Sequence, residues 1–294
     1  MAHQVVEKFK QAFRTCVYHA YYLVLGKLFR IYHKEQNRIQ FLQAQPPLVK
    51  LVELNNTRFA VYIRSHGAIE DSILTTGNWS AELLLLSDYF VTSNSVIVEI
   101  GANIGFESLY YAKRFPDAIV YSYEPGTYPH NSLLLSKSYN RLENLKVFKL
   151  AVGSTIGLAE LSTPTEECLN KGLGSLKENK DLEQSYTREK VEVVTLDGHF
   201  SEKRRISLLK IDTQGFEWDV LQGAAQTIQA HRPAIIFEHE DQYHANPKEL
   251  RRSIAAFFEE ANYDLYATGK DVLRRLDLYA PSHFHGDVIA LSRK

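Results

Sequence analysis

The stretch Ser95-Val-Ile-Val-Glu-Ile-Gly-Ala-Asn-Ile-Gly105 runs from a β-branched apolar segment into a glycine turn. Val96 to Ile100 reads as a buried strand, because an unbroken run of such residues suits a sheet covered on both faces. Phe106 to Arg114 then reads as a helix. A strand turning through glycines into a helix builds a ligand site in open α/β sheets. Glycine lets backbone approach the ligand, and the first N–H groups of the helix are unpaired. Glu99 stands just before the turn, and the next apolar run, Ala118-Ile-Val-Tyr-Ser-Tyr-Glu-Pro125, closes on Glu124. An acid ending the second strand, roughly 20 residues on, is where such folds hold the two hydroxyls of a ribose. Turn and acid together predict a nucleoside-containing cofactor.

Further strands follow. Leu145 to Val152 reads as a third, with Ala151 and Val152 placed to flank a base. Ile206-Ser-Leu-Leu-Lys-Ile-Asp212 is a fourth, leading through Thr213-Gln-Gly-Phe-Glu217 into a helix over Trp218 to Ala230. Pro233 to His239 is a fifth strand, Lys248 to Ala261 a helix, Tyr263 to Ala267 a strand and His285 to Leu291 the last. Alternation of this kind predicts an α/β protein with a doubly wound, mostly parallel sheet. Between the third and fourth strands, Leu158 to about Lys190 is polar and uneven, with Gly172-Leu-Gly174-Ser175 in its middle. It reads as a β-excursion with a mobile, lid-like loop.

Ahead of this core, residues 1–45 read as a helical segment. Phe9, Phe13, Val17, Tyr21, Val24, Leu28 and Ile31 recur at spacings of three and four, and Pro46-Pro47 ends the pattern. Such an aromatic face fits docking on the core or a second subunit, a membrane surface, or a wall for the acceptor. Residues 46–77 read as a β-hairpin cap, Leu48 to Leu54 and Arg58 to Arg64 joined across Asn55-Asn56-Thr57, and residues 78–294 read as the doubly wound domain. Trp79 to Leu86 reads as a helix with Ser80 at its N-cap and Glu82 near its start.

A net charge of −1 argues against a broad grip on nucleic acid. The two cysteines, Cys16 and Cys168, have no metal or redox spacing, which points to a reducing, cytoplasmic compartment. No apolar run approaches the roughly 20 residues of a membrane span, and the first residues, interrupted throughout by charged and polar groups, do not read as a signal peptide.

In a doubly wound sheet the C-terminal strand ends open on one edge, so Glu99, Glu124, Asp212, Glu238 and His239 should converge. Asp212, Glu238 and His239 form the catalytic set: a proton acceptor for a hydroxyl nucleophile, or ligands for a divalent cation such as Mg²⁺ that acidifies it. Several of the candidate polar residues have a plainer reading. Asp212 can cap the following helix, Glu217 can complement that helix's dipole, and His239 can be an ordinary partly buried histidine. Glu82 can be a first-turn acid, Lys210 can pair with a core carboxylate, and His283 and His285 are the weakest candidates.

Glu99-Ile-Gly-Ala-Asn-Ile-Gly105, Glu124-Pro125, Thr195-Leu-Asp197, Leu209-Lys-Ile-Asp-Thr-Gln-Gly-Phe-Glu217 and Val220-Leu-Gln-Gly-Ala224, in that order, resemble the FkbM family of methyltransferases. The resemblance covers roughly residues 78–240. It implies a class I Rossmann-like methyltransferase using S-adenosylmethionine to O-methylate a sugar, glycolipid or glycosylated natural product. Carried over by position, Glu99, Gly101, Ala102, Asn103 and Gly105 would wrap the amino-acid end of the cofactor, with Phe106 a further cofactor-binding candidate. Glu124 would hold its ribose hydroxyls; Pro125, Asp212 and the strand-end pair Ala151 and Val152 are the remaining cofactor-binding candidates. The family usually has Asp where Glu99 stands and often Glu where Gln214 stands. The competing readings are a methyltransferase for a protein or other small acceptor, a non-catalytic cofactor-binding module, and an NAD-dependent oxidoreductase. The last wants Gly-x-Gly-x-x-Gly, and Gly101-Ala-Asn-Ile-Gly-Phe106 lacks the second glycine.

Overall fold

The structure, a computed structural model, describes residues 47–164, 186–269, 272–279 and 284–293. The expected N-terminal helical segment, both cysteines, Gly172 to Ser175 and His283 lie outside these residues. The described residues belong almost entirely to one compact unit, Pro46–Ile73 with Gly77–Lys294.

A hairpin comes first, β1 (Leu48–Leu54) and β2 (Thr57–Ile63), paired from Leu54↔Thr57 to Leu48↔Ile63. Asn55 and Asn56 both have positive φ, as a two-residue turn matched to strand twist requires. Two helices follow, α1 (Ala68–Thr76), which the sequence reading passed over, and α2 (Ala81–Ser87). Ser80 takes the N-cap position of α2 with φ 56° and makes no side-chain capping bond. Then come β3 (Val96–Ile100), α3 (Phe106–Arg114), β4 (Ile119–Tyr123), α4 (Thr127–Asn140) and β5 (Leu145–Phe148).

The chain next leaves the main sheet. β6 (Ala151–Val152), β7 (Gly157–Pro164) and β8 (Tyr186–Val194) form a separate three-stranded sheet in the order β6-β8-β7. The single third strand expected over Leu145 to Val152 is therefore two strands in two sheets. β5 runs out of partner when β4 ends, at the pair Tyr123↔Phe148, and the chain crosses over at Lys149 and Leu150.

The short helix α5 (Leu196–His199) precedes β9 (Ile206–Ile211), α6 (Glu217–Gly223), α7 (Ala225–His231) and β10 (Ala234–Glu240). A 3₁₀ turn over Asp241–Tyr243, α8 (Pro247–Glu260), β11 (Tyr263–Gly269), β12 (Val272–Arg275) and β13 (His285–Ser292) complete the chain. The helix expected over Trp218 to Ala230 is thus broken at Ala224. A Cβ on Gly223 would stand 1.9 Å from the Gly153 carbonyl oxygen, so α6 ends where it touches the β6 turn. Asp197 then starts α7 afresh, accepting from the N–H groups of Gln226 at 3.0 Å and Thr227 at 2.7 Å.

The main sheet has eight strands in the order β12-β11-β13-β10-β9-β3-β4-β5. β5, β4, β3, β9 and β10 are mutually parallel, and β13 lies antiparallel between β10 and β11. This is a class I Rossmann-like sheet, and strand order reverses between β3 and β9, the place where such sheets bind ligand. β3 and β9 are buried at every position, as continuous apolar strands covered on both faces should be. α8 buries Arg251, Ile254, Ala255 and Phe258, one face at helical spacing.

The hairpin docks on α3 and α4. Phe59 meets Phe106 edge-on at 5.3 Å between ring centroids, and the free edge of β2 is satisfied by side chains. Asn140 exchanges two bonds with the Ala60 backbone, and Ser136 Oγ accepts from the Tyr62 N–H at 2.8 Å. A strand edge treated this way is closed to further pairing. Among the described residues no helix is long and apolar enough to cross a membrane.

Candidate active site

A cleft of about 900 Å³ opens over the strand ends at the reversal point. Gly101 makes the floor possible. Its φ is +85°, and a Cβ there would stand 1.7 Å from the Asp212 carbonyl oxygen. The turn it starts is held by the Tyr123 carbonyl, which accepts from the N–H groups of Gly101 at 2.9 Å and Ala102 at 3.0 Å. Gly105, at φ +88°, leaves room for Leu133 and begins α3.

Glu124 is the anchor of the cofactor half. Its Oε1 accepts from the Gly126 N–H and its Oε2 from the Asn103 N–H, both at 2.8 Å. Burial pushes its carboxyl up to about 7, against the pull of those two N–H groups. Two fixed donors aim this carboxylate and leave each oxygen a further lone pair.

Strand alternation sorts the rest. Glu99 on β3 stands opposite Lys210 on β9, and Glu238 on β10 opposite Asp287 on β13. Lys210 is buried, 3.6 Å from Asp212 and 4.0 Å from Asp287. Burial works against its charge, but these carboxylates, Asp212 foremost, hold its pKa above the ordinary lysine range. Glu99 accepts from Ser108, and burial together with the Glu107 charge raises its carboxyl. Gln214, at φ 53°, donates one amide group to both Asp212 Oδ1 at 2.9 Å and Glu238 Oε2 at 3.0 Å. Tyr243 donates to the Gln214 carbonyl at 3.1 Å. Burial and the Asp212 charge push Glu238 up to about 8.

Of the residues singled out from the sequence, Glu99, Gly101, Ala102, Asn103, Gly105, Phe106, Glu124, Pro125, Ala151, Val152, Asp212 and Glu238 line this cleft. His239 does not, which corrects its place in the expected catalytic set. Glu238 and Glu240 face the cleft, so the residue between them points to the opposite face. There His239 is buried, 3.2 Å from Asp241 and stacked on His244, and Arg251 donates to Asp241 at 2.5 Å. Burial lowers its pKa. The expected metal set fails with it: the Gln214 amide bridges Asp212 and Glu238, Lys210 neutralises Asp212, and among the described residues no three His, Cys, Asp or Glu side chains are arranged to hold a metal ion. Mg²⁺ does not fit this donor set.

Glu217 is a positioning residue. Its Oε1 accepts from the Thr213 N–H, the Thr213 hydroxyl and the Gly215 N–H, all at 3.0–3.1 Å, and so shapes the loop that carries Gln214. Glu82 is exposed and not among the lining residues. His285 lines the cleft and pairs with Glu240. The sequence reading did not single out Glu107, Tyr128, Glu240 or Tyr243, which also line it. Glu107 and Glu240 were legible in principle, one in the first turn after the glycines and one two residues past Glu238. Tyr128 and Tyr243 carried no signal among 17 tyrosines.

The buried acids make stability pH-dependent. Glu107 and Glu124 are raised to about 7 and Glu238 to about 8, above their unfolded values. The folded state therefore binds these protons more tightly, so this stability is present below the unfolded pKa and is lost as pH rises through 7–8. Neutral His130, His231 and His239, with lowered pKa, pull the other way. At an order of 3 kcal/mol for each carboxyl shift, the carboxylates win. Thermal melts of the ligand-free protein should fall between pH 5.5 and 8, and a flat or rising series would refute this charge assignment.

The sequence pattern of the Methyltransferase FkbM domain matches residues 99–265. Methyltransferase sdnD of Sordaria araneosa is 25% identical over 199 residues, 59% of this chain and 75% of that protein. Methyltransferase 1 of Beauveria bassiana (strain ARSEF 2860) is 24% identical over 194 residues, 60% of this chain and 76% of that protein. The crystal structure of Methyltransferase FkbM from Methylobacillus flagellatus KT aligns with a TM-score of 0.45 at 15% identity, over 69% of this chain and 45% of that one, so the chain spans less than half of that protein's length.

Proposed function

From the premise that this chain belongs to the methyltransferase FkbM family, we propose that it methylates a hydroxyl oxygen, that of a sugar, glycolipid or glycosylated natural product, using S-adenosylmethionine. The observation that carries the cofactor assignment is the cradle of Gly101 and Glu124. One side of it has no room for a Cβ, and the other presents a carboxylate aimed by two backbone donors. Residues 101–105 would hold the amino-acid end, Glu124 the ribose hydroxyls, and Ala151 with Val152 the base. When bound, the cofactor supplies an electrophilic sulfonium methyl.

The chain's own part is positioning and proton transfer. Asp212 is the more exposed acid of the reacting end, with 37% of its side chain accessible, and it would take the proton as the acceptor oxygen forms its new bond to carbon. Gln214 and Lys210 fix its orientation. Glu238, held largely protonated at neutral pH, would donate to or align a second acceptor hydroxyl. The polar and aromatic lining of Trp79, Tyr128, Gln214, Gln242 and Tyr243 suits a sugar face.

Two measurements test this. Glu124→Ala should weaken S-adenosylmethionine binding by about 10–100-fold, the value of one hydrogen bond to a charged group, and unchanged affinity would remove the ribose assignment. Methyl-labelled cofactor offered with neutral glycosides should yield base-stable methyl ethers. Label found only on amines, or only on peptide, would overturn the hydroxyl assignment.

A further inference from the structure

We infer that the carboxylate of Glu107 receives a protonated primary amine of the bound ligand. Glu107 sits in the first turn of α3 at 8% exposure and lines the cleft. Its Oε2 has no hydrogen-bond partner among the described residues. A buried acceptor left unfilled bears its full desolvation cost, and a charged one more so, so a ligand donor that fills it recovers that loss.

The surroundings choose the donor. Lys210 is the one buried cation lining the cleft among the described residues, and Glu99, Glu107, Asp212, Glu238 and Asp287 all act on it or on one another. Ser80 donates to Glu107 and Lys210 attracts it, but Asp212 and Asp287 repel it. A neutral hydroxyl would fill Oε2 and leave this excess negative charge. A sulfonium would offset the charge and leave Oε2 unfilled, because it has no N–H. A primary ammonium does both, with three N–H donors on one compact charge.

Two sources carry this chemistry: the amino-acid end of the cofactor, which rests on the methyltransferase reading above, and an amine on the acceptor. The test uses the full chain and Glu107→Gln at pH 8, where the carboxyl, raised to about 7, is ionised. S-adenosylhomocysteine carries the amine, and 5′-methylthioadenosine lacks it. A tenfold or greater loss for the first, with the second unchanged within twofold, supports the inference and assigns the cofactor as source. If the first is unchanged, glucosamine and glucose are titrated against the chain loaded with S-adenosylhomocysteine. Binding of glucosamine over glucose that Glu107→Gln abolishes supports the inference with the acceptor as source. Equal losses for both adenosyl compounds, or no loss with any probe, would overturn it. Glu107→Asp, which keeps the charge, should retain most of the discrimination, and a melt on each variant separates lost folding from lost binding. Should the unaltered chain bind neither adenosyl compound, the methyltransferase reading fails. The sugar pair, run on the unloaded chain, then decides the inference alone.

Discussion

Asp212→Asn is expected to lower turnover by about 10²–10⁴-fold, the usual value of a positioned proton acceptor, with affinity for S-adenosylmethionine changed far less. Asparagine keeps the shape and can still accept from Gln214, which bonds Asp212 Oδ1 at 2.9 Å. What it loses is the capacity to take a proton. Lys210 would not be stranded, because Glu107 and Asp287 also raise its pKa and Asp287 stands 4.0 Å away. The variant should therefore fold, and single-turnover rates should fall with product release unaffected. Turnover within twofold of the parent would overturn the assignment of Asp212 as the proton acceptor.

Gly101→Ala should act on the fold and the site together. Its Cβ would stand 1.7 Å from the Asp212 carbonyl oxygen, which is backbone and cannot rotate away. The φ of +85° adds the left-handed penalty. The ends of β3 and β9, tied by the Asp212 N–H to the Ile100 carbonyl at 2.9 Å, would have to part. We expect a loss of about 3 kcal/mol or more, or roughly 10 °C in melting temperature, and no measurable cofactor binding. Gly77→Ala is the control. Its φ is +70° and nothing lies within 4 Å of the added atom, so only the backbone penalty of about 1–2 kcal/mol applies. Equal melting temperatures for the two variants would contradict the close approach at Gly101.

Most of the sheet was legible because its central strands are unbroken apolar runs that end in polar residues. β3 and β9 could be read from Val96–Ile100 and Ile206–Ile211 with almost no context. The cofactor half of the cleft was legible for a related reason: the glycine turn and Glu124 are local features at a fixed separation. Where reading failed, the deciding contact was distant in sequence. The break at Ala224 depends on Gly223 meeting Gly153, and the split of β5 from β6 depends on where β4 stops. His239 is different. It was placed by its strand end, but period-two alternation already set it on the opposite face from Glu238, so that error was avoidable. Tyr128 and Tyr243 were beyond reach, because nothing in a tyrosine's immediate neighbours says which cavity it borders.

If the cradle of Gly101 and Glu124 binds a methyl-donor nucleoside, calorimetric titration will show it. The chain is titrated with S-adenosylmethionine and S-adenosylhomocysteine, with NAD as the control and with Mg²⁺ present or chelated. Micromolar binding of both adenosyl compounds is expected, with no binding of NAD and no change on chelation, since the donor set does not fit a metal. Binding of NAD in place of the other two, or of none of the three, would contradict the assignment of this cradle.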